Sequence, residues 1–193
     1  MSLIRHPIVQ YAYFVKDVDE SILKWVNMFG AGPFLKVPRW SGAKNHLYRG
    51  QPTSEEVTHA HGQCGPVQIQ LTQQHDDKPS IWRDVYPDGG EGFHHVAIIV
   101  EDFAAERQRF IDAGASVGEE FHYDTVEGTG HLELAPGTVL PPIGRVAYMD
   151  ARGQIGCFVE LLEKNPITEY EFAAVRKLHE SWDGKTDPIR LAV

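Results

Sequence analysis

The chain of 193 residues is long enough for one large domain or two small ones with a buried core. Its net charge of -9 argues against nucleic acid as a main partner, because phosphate binding requires a basic surface. No apolar run approaches the roughly 18 residues of a membrane-spanning helix, and the N-terminus lacks a signal-peptide pattern. With only two cysteines, this composition predicts a cytoplasmic protein with reduced thiols and no membrane partner.

The first part of the chain predicts a strand, a helix and three further strands. Residues 8–15 are β-branched and aromatic, as in a strand, and a helix capped by Asp17 or Asp19 ends at Gly30. The short strand GPFLKV follows, and residues 39–53 are polar and irregular. Two alternating segments, SEEVTHAHG and VQIQLTQQ, complete a β-α-β-β-β order.

The second part of the chain repeats this order. HHVAIIV predicts a strand, EDFAAERQRFIDAGA a helix ended by Gly114, and SVGEEFHY another strand. RVAYMDARGQIGCFVELLE predicts a hairpin that turns at residues 151–153. Residues 122–142 form a long loop rich in Gly and Pro, and an amphipathic helix and a polar tail follow Pro166.

The two parts align as an internal repeat. QYAYFVKDV matches HVAIIVEDF, which places Gln10 on His95, and the last strands match so that Gln70 falls on Glu160. Because strand side chains alternate, each part then places two polar residues on the sheet face opposite its helix. Burying a polar side chain is costly without a partner, so the four positions favour one shared partner, such as a divalent metal ion.

The stretches HHVAIIVEDF, GCFVELLE, QYAYFVKDV and VQIQLTQQ resemble the vicinal oxygen chelate superfamily, over about residues 7–164. This superfamily includes glyoxalase I, methylmalonyl-CoA epimerase, extradiol dioxygenases and bleomycin-resistance proteins. The resemblance implies an α+β fold of two tandem βαβββ modules, residues 7–76 and 92–164. The modules are expected to form a cupped mixed sheet with helices outside, followed by a C-terminal helix and tail at residues 165–193.

Carried over residue by residue, the resemblance implies a divalent metal ion held by Gln10, Gln70, His95 and Glu160. Zinc is the first expectation for this ion, with nickel, cobalt, manganese and iron as alternatives. His95 is the implied ligand because it aligns with Gln10, whereas His94 points to the other side of the same strand. Glu160 is also the implied catalytic base, since Gln70 cannot act as a base.

The implied activity is that of a lyase or isomerase of the glyoxalase or epimerase type. It would remove a proton α to a carbonyl on a small or CoA-linked substrate. Four loop carboxylates are candidates for a second base: Glu55, Glu56, Asp84 and Glu127. Three side chains in loops are candidates for substrate binding, with surface ion pairs or linker anchors as the alternative: Arg49, Trp82 and Arg83.

Other interpretations stay open at this point. The four polar residues could form a hydrogen-bonded core without metal, and a bleomycin-resistance-type protein would bind a ligand without turnover. An extradiol dioxygenase is less favoured, because it would carry a histidine where Gln10 stands. The linker between the modules permits a site within one chain, and a homodimer remains an alternative.

Overall fold

The computed structural model describes residues 5–41, 44–124, 141 and 143–192. These residues divide into two compact units. The N-unit contains residues 9–41, 54–94 and 172–192, and the C-unit contains residues 5–8, 44–53, 95–124, 141 and 143–171. Across the described residues, every helix is too short or too polar to span a membrane. Both cysteines are free thiols, as predicted.

The elements follow one another in this order: β1 (Ile8–Phe14), α1 (Val18–Phe29), β2 (Phe34–Trp40), β3 (Lys44–Tyr48), β4 (Gln51–Pro52), β5 (Val57–Cys64), β6 (Val67–Gln74), α2 (Ile81–Val85), β7 (Gly92–Val100), α3 (Phe103–Asp112), β8 (Ser116–Asp124), β9 (Ile143–Asp150), α4 (Arg152–Ile155), β10 (Phe158–Glu163), α5 (Pro166–Glu180) and β11 (Ile189–Leu191). The predicted α+β class and the two βαβββ modules are confirmed. The first module is β1-α1-β2-β5-β6 and the second is β7-α3-β8-β9-β10. The module boundaries at 7–76 and 92–164 stay predictions.

The same topology recurs in both modules. In each, the first strand runs parallel to the last, β1 to β6 and β7 to β10. The last strand is antiparallel to the strand before it, β6 to β5 and β10 to β9. Parallel neighbours require a long crossover, and α1 or α3 begins that crossover in each module. The structure therefore agrees with the repeat seen in the sequence.

In the N-unit, α1 covers one face of the sheet. The Asp17 carboxylate accepts a hydrogen bond from the Glu20 backbone N–H at 2.9 Å, and the helix ends at Gly30 with a φ of 64°. The apolar side of the helix packs onto alternate residues of three strands, so that a single core forms between them. Buried members of this core include Ile22, Phe34, Ala60, Ile69 and Leu71.

In the C-unit, α3 covers one face in the same way. Asp102 caps this helix by accepting a hydrogen bond from the Ala105 backbone N–H at 3.0 Å. Phe103 and Phe110 are buried, and the helix contacts β8, β9 and β10. The face of the C-unit opposite α3 is therefore left for other side chains.

Three segments differ from the sequence-based expectations. The irregular segment at 39–53 contains the hairpin β3–β4, and β3 pairs with β8. The tail after α5 contains β11, which pairs in parallel with β2. The turn at 151–153 includes the short helix α4. β11 is an edge strand that pairs with β2, and β3 pairs with β8, so both take hydrogen bonds from residues far away in the chain and a local pattern does not reveal these pairings.

Gly62→Ala tests the close packing of β5 in the N-unit. A Cβ at this glycine would lie 2.8 Å from the ring of Phe34, which is fully buried. We expect the variant to lose about 1–3 kcal/mol of unfolding free energy through overpacking, measured by urea denaturation. Gly153→Ala is the control, because a Cβ there meets no atom within 4 Å. Equal stability of the two variants would contradict this description of the core.

Candidate functional site

His95 and Glu160 lie side by side in the C-unit. In the β7–β10 register, His95 is opposite Phe158 and Glu160 is opposite Ala97, so both side chains are on the face opposite α3. His95 Nε2 is 3.3 Å from Glu160 Oε2, and the two side chains are 0% and 7% exposed. Two ligands bonded to one divalent ion at about 2.0–2.2 Å lie roughly 3.0–3.5 Å apart, so this pair fits such an ion.

A row of polar side chains extends from this pair across the C-unit. Tyr148 of β9 lies opposite Glu160, and its ring meets the ring of His95 edge-on at 5.1 Å between centroids. Glu119 of β8 lies opposite Tyr148, and its Oε1 is 3.0 Å from His46 Nε2 of β3. We call these five residues the polar row.

His46 and Glu119 did not emerge from the sequence. Their side chains are 3% and 4% exposed, so both are buried. His46 falls in the segment expected to be irregular, and a β-bulge between Val117 and Glu119 shifts the alternation of β8. Only the alternation of KNHLY between polar turns could have marked His46 as a strand residue.

Gln10 and Gln70 lie on one face of the N-unit, opposite α1. β1 and β6 pair with Gln10 opposite Gln68 and Ala12 opposite Gln70, which puts both glutamines on the same side. Gln10 and Gln70 are each 3% exposed. Gln10 Nε2 donates a hydrogen bond to Gln68 Oε1 at 2.5 Å, so its amide is held by a neighbour on the same face.

His94 has a structural role that separates it from His95. Its ring nitrogen Nε2 donates a hydrogen bond to the backbone carbonyl of Ile81 at 2.9 Å, and it is 1% exposed. The His94 ring also packs against the ring of Trp82 at 4.4 Å. His94 therefore holds the start of α2 in the N-unit.

The predicted substrate-binding residues are engaged by neighbours in their own units. Arg49 donates a hydrogen bond to Asp150 Oδ2 at 2.9 Å. Trp82 is 2% exposed and stacks on Phe14 at 6.0 Å. Arg83 donates to Asp77 Oδ1 at 3.0 Å. Contact of these three residues with a substrate stays a prediction.

The candidate second bases lie in different settings. Glu55 is 2% exposed, and Glu56 is paired with Arg39. Asp84 belongs to α2, where it is in the first turn. Glu127 lies outside the described residues. A role as a second base stays a prediction for each of these residues.

The Asp150 carboxylate in the C-unit is stabilised by two arginines. Hydrogen bonds from Arg152, and then from Arg49, hold the pKa of its carboxyl at about 2, although partial burial opposes this shift. Both arginines are about a third exposed, at 34% and 36%. Asp150 therefore joins the end of β9 to the turn after β3.

The comparison of the sequence with family models identifies one superfamily. The profile of the Glyoxalase/Bleomycin resistance protein/Dioxygenase superfamily matches residues 9–131. The chain belongs to this superfamily. The predicted resemblance is thus confirmed. In the search of curated proteins, no sequence is significantly similar to this chain.

Two solved structures share the superfamily fold with this protein. Methylmalonyl-CoA epimerase from Mycobacterium tuberculosis is 18% identical, with a TM-score of 0.53 over 87% of this chain and 93% of its own. A hypothetical protein from Bacillus halodurans C-125 is 19% identical, with a TM-score of 0.52 over 84% and 96%. At these identities the likeness shows the fold alone.

Removing one member of the buried His46–Glu119 pair should be costly. We expect His46→Leu to lower the unfolding free energy by about 3 kcal/mol, because the Glu119 carboxylate stays buried without this hydrogen bond. The double variant His46→Leu, Glu119→Leu should recover most of that loss, since an apolar pair needs no hydrogen bond. Urea denaturation of the three proteins measures both effects, and a double variant weaker than the single one would contradict the pairing.

Asp150 should make stability depend on pH in the acidic range. Because its folded pKa lies below its usual value of 3.8, its contribution is present above about pH 4 and is lost as the pH falls toward 2. We expect Asp150→Asn to cost about 1–2 kcal/mol at pH 7 and much less at pH 2.5, after allowing for the exposed arginines. Denaturation at both pH values checks this, and an equal cost at both would refute it.

Proposed function

We propose that this superfamily member is a divalent-metal-dependent enzyme that removes a proton α to a carbonyl, as a lyase or an isomerase. The observation that supports the proposal most is the buried His95–Glu160 pair on the face opposite α3. Imidazole nitrogen and carboxylate oxygen are ligands that zinc and related ions accept. Gln10 and Gln70 are proposed as further ligands through their amide oxygens, with zinc as the first candidate ion.

The residues of the C-unit supply the proton chemistry in this proposal. A bound divalent ion would act as a Lewis acid toward the carbonyl oxygen of the substrate and make the α-proton more acidic. Glu160 takes that proton, because its Oε2 lies 3.3 Å from His95 Nε2. The rings of His95 and Tyr148 keep bulk water from this carboxylate, since His95 is fully buried and Tyr148 is 3% exposed. The product forms when a proton returns to the opposite face of the same carbon, as in an epimerase, or to the neighbouring carbon, as in a glyoxalase-type reaction.

The proposed substrate class is suggested by a structural neighbour rather than by the residues of the site. The Mycobacterium tuberculosis structure is named as a methylmalonyl-CoA epimerase, so a CoA thioester is one substrate to test. An α-hydroxy thioester, the product type of a glyoxalase reaction, is the second compound to test. Both carry an acidic proton next to a thioester carbonyl, which matches the proposed chemistry.

A ligand-binding protein without turnover is the second candidate. It would hold a ligand against the same buried pair, and the 3.3 Å between His95 Nε2 and Glu160 Oε2 is compatible with this class as well. An extradiol dioxygenase is the third candidate and is disfavoured by the glutamine at position 10. Metal content and proton exchange distinguish these three classes.

Metal binding can be measured by elemental analysis of tag-free protein after reconstitution with zinc, nickel, cobalt, manganese or iron. We expect about one ion per wild-type chain and loss of most of it in His95→Ala and Glu160→Ala, because each removes a ligand. His122→Ala and Glu120→Gln are matched controls, since His122 contacts Asn45 and Glu120 contacts Arg107. Circular dichroism confirms that each variant is folded. A wild-type protein that stays empty with all five metals would overturn the metalloenzyme proposal.

Proton removal is tested separately with the metal-loaded protein. In D2O we expect the α-proton of methylmalonyl-CoA or of an α-hydroxy thioester to exchange for deuterium, followed by NMR. Glu160→Gln should slow the exchange by about 10²-fold or more, as for loss of a general base. Metal binding without any exchange would instead favour the ligand-binding class.

A further inference from the structure

The two glutamine amides of the N-unit share one orientation. The NH2 group of Gln10 is used within the face, by donation to Gln68 Oε1 at 2.5 Å. Its carbonyl oxygen Oε1 is buried and accepts no hydrogen bond from any described residue. A buried acceptor without a donor is unfavourable, so this orientation calls for an explanation.

Gln70 has a similar arrangement and lies on β6, two residues after Gln68, the partner of Gln10. Its NH2 group lies 3.2 Å from Thr72 Oγ1 and 3.1 Å from His59 Nδ1. Among the described residues, none donates a hydrogen bond to its carbonyl oxygen. In both glutamines the donors are therefore bonded inside the face, while the oxygen is left for another group.

With the NH2 group of Gln70 facing His59, the donors and acceptors around it follow one pattern. An amide nitrogen can only donate, so His59 Nδ1 accepts from Gln70 and carries no proton. The Thr72 hydroxyl accepts from Gln70 and lies 3.0 Å from the same His59 nitrogen, to which it donates. His59 is then protonated at Nε2. If the tautomer were reversed, His59 would donate from Nδ1 and draw the Gln70 oxygen toward itself.

Amide orientation matters because the two ends of the group differ chemically. A carbonyl oxygen can bind a divalent cation, whereas an NH2 group has no lone pair available for it. A carboxylate ligand does not face this choice, because its two oxygens are equivalent. A site that uses glutamine therefore needs neighbours that fix which end is presented.

We propose that Gln68 and His59 are positioning residues that hold the carbonyl oxygens of Gln10 and Gln70 toward a divalent cation. This inference rests on the proposed function, since it assigns the orientation of two ligands in the proposed metal site. Gln68 acts on Gln10 through its Oε1, and His59 acts on Gln70 through its unprotonated Nδ1. Thr72 completes the second arrangement by accepting from the same amide.

Zinc and cobalt titrations by calorimetry test the effect on binding. We expect Gln68→Leu and His59→Phe each to weaken the affinity for the ion by about 10- to 100-fold, as for neighbours that orient a ligand. His59→Gln should restore much of it, because its amide oxygen can accept from Gln70. The controls His61→Phe and Gln63→Leu remove the same residue types from the same face, where Gln63 donates to Gly65 instead.

Nitrogen NMR of the wild-type protein without added metal gives a readout that does not depend on binding. The ¹⁵N shifts of His59 should show protonation at Nε2 only, and the side-chain NH2 protons of Gln10 and Gln70 should exchange slowly with water. Protonation of His59 at Nδ1 would overturn the inference whatever the metal content. Wild-type affinity in both Gln68→Leu and His59→Phe would overturn it while leaving the metalloenzyme proposal intact. A wild-type protein that binds no ion would instead overturn the proposed function, and the cation role of the two amides with it.

Discussion

The parallel pairing of the first and last strands in each module determines which side chains share a face. This register places Glu160 beside His95 in the C-unit, and it places Gln10 and Gln70 on one side of the N-unit sheet. A shift of either strand by one residue would turn these side chains into the apolar layer under α1 or α3. The helices protect the register, because they can pack only on the face that carries the apolar residues.

Each unit buries polar side chains on the sheet face opposite its helix, but the two units use different chemical groups. The C-unit buries an imidazole beside a carboxylate, with 3.3 Å between His95 Nε2 and Glu160 Oε2. The N-unit buries neutral amides, which carry no net charge but have distinct donor and acceptor ends. Neighbouring polar side chains hold the donor ends in place, as Gln68 does for Gln10.

The polar row also explains why the edge of the C-unit has its observed form. Glu119 is fully buried although it lies on β8, because β3 covers this edge and brings His46 to it. The turn after β3 is joined to β9 through Arg49 and Asp150. Burying the ionisable group of Glu119 is costly unless it finds a partner, and the β3–β4 hairpin supplies His46 as that partner.

The sequence by itself determined the repeated βαβββ order, a cap of α1 at Asp17 or Asp19, and the faces on which Gln10, Gln70, His95 and Glu160 lie. These features follow from local alternation and helix periodicity, which are set by neighbouring residues. Only the tertiary structure decided the pairing of β3 with β8, the strand β11, the His46–Glu119 pair and the anchoring of α2 by His94. Each of these depends on hydrogen bonds between residues far apart in the chain, and no local pattern encodes which distant partner an edge strand or a buried polar group will meet.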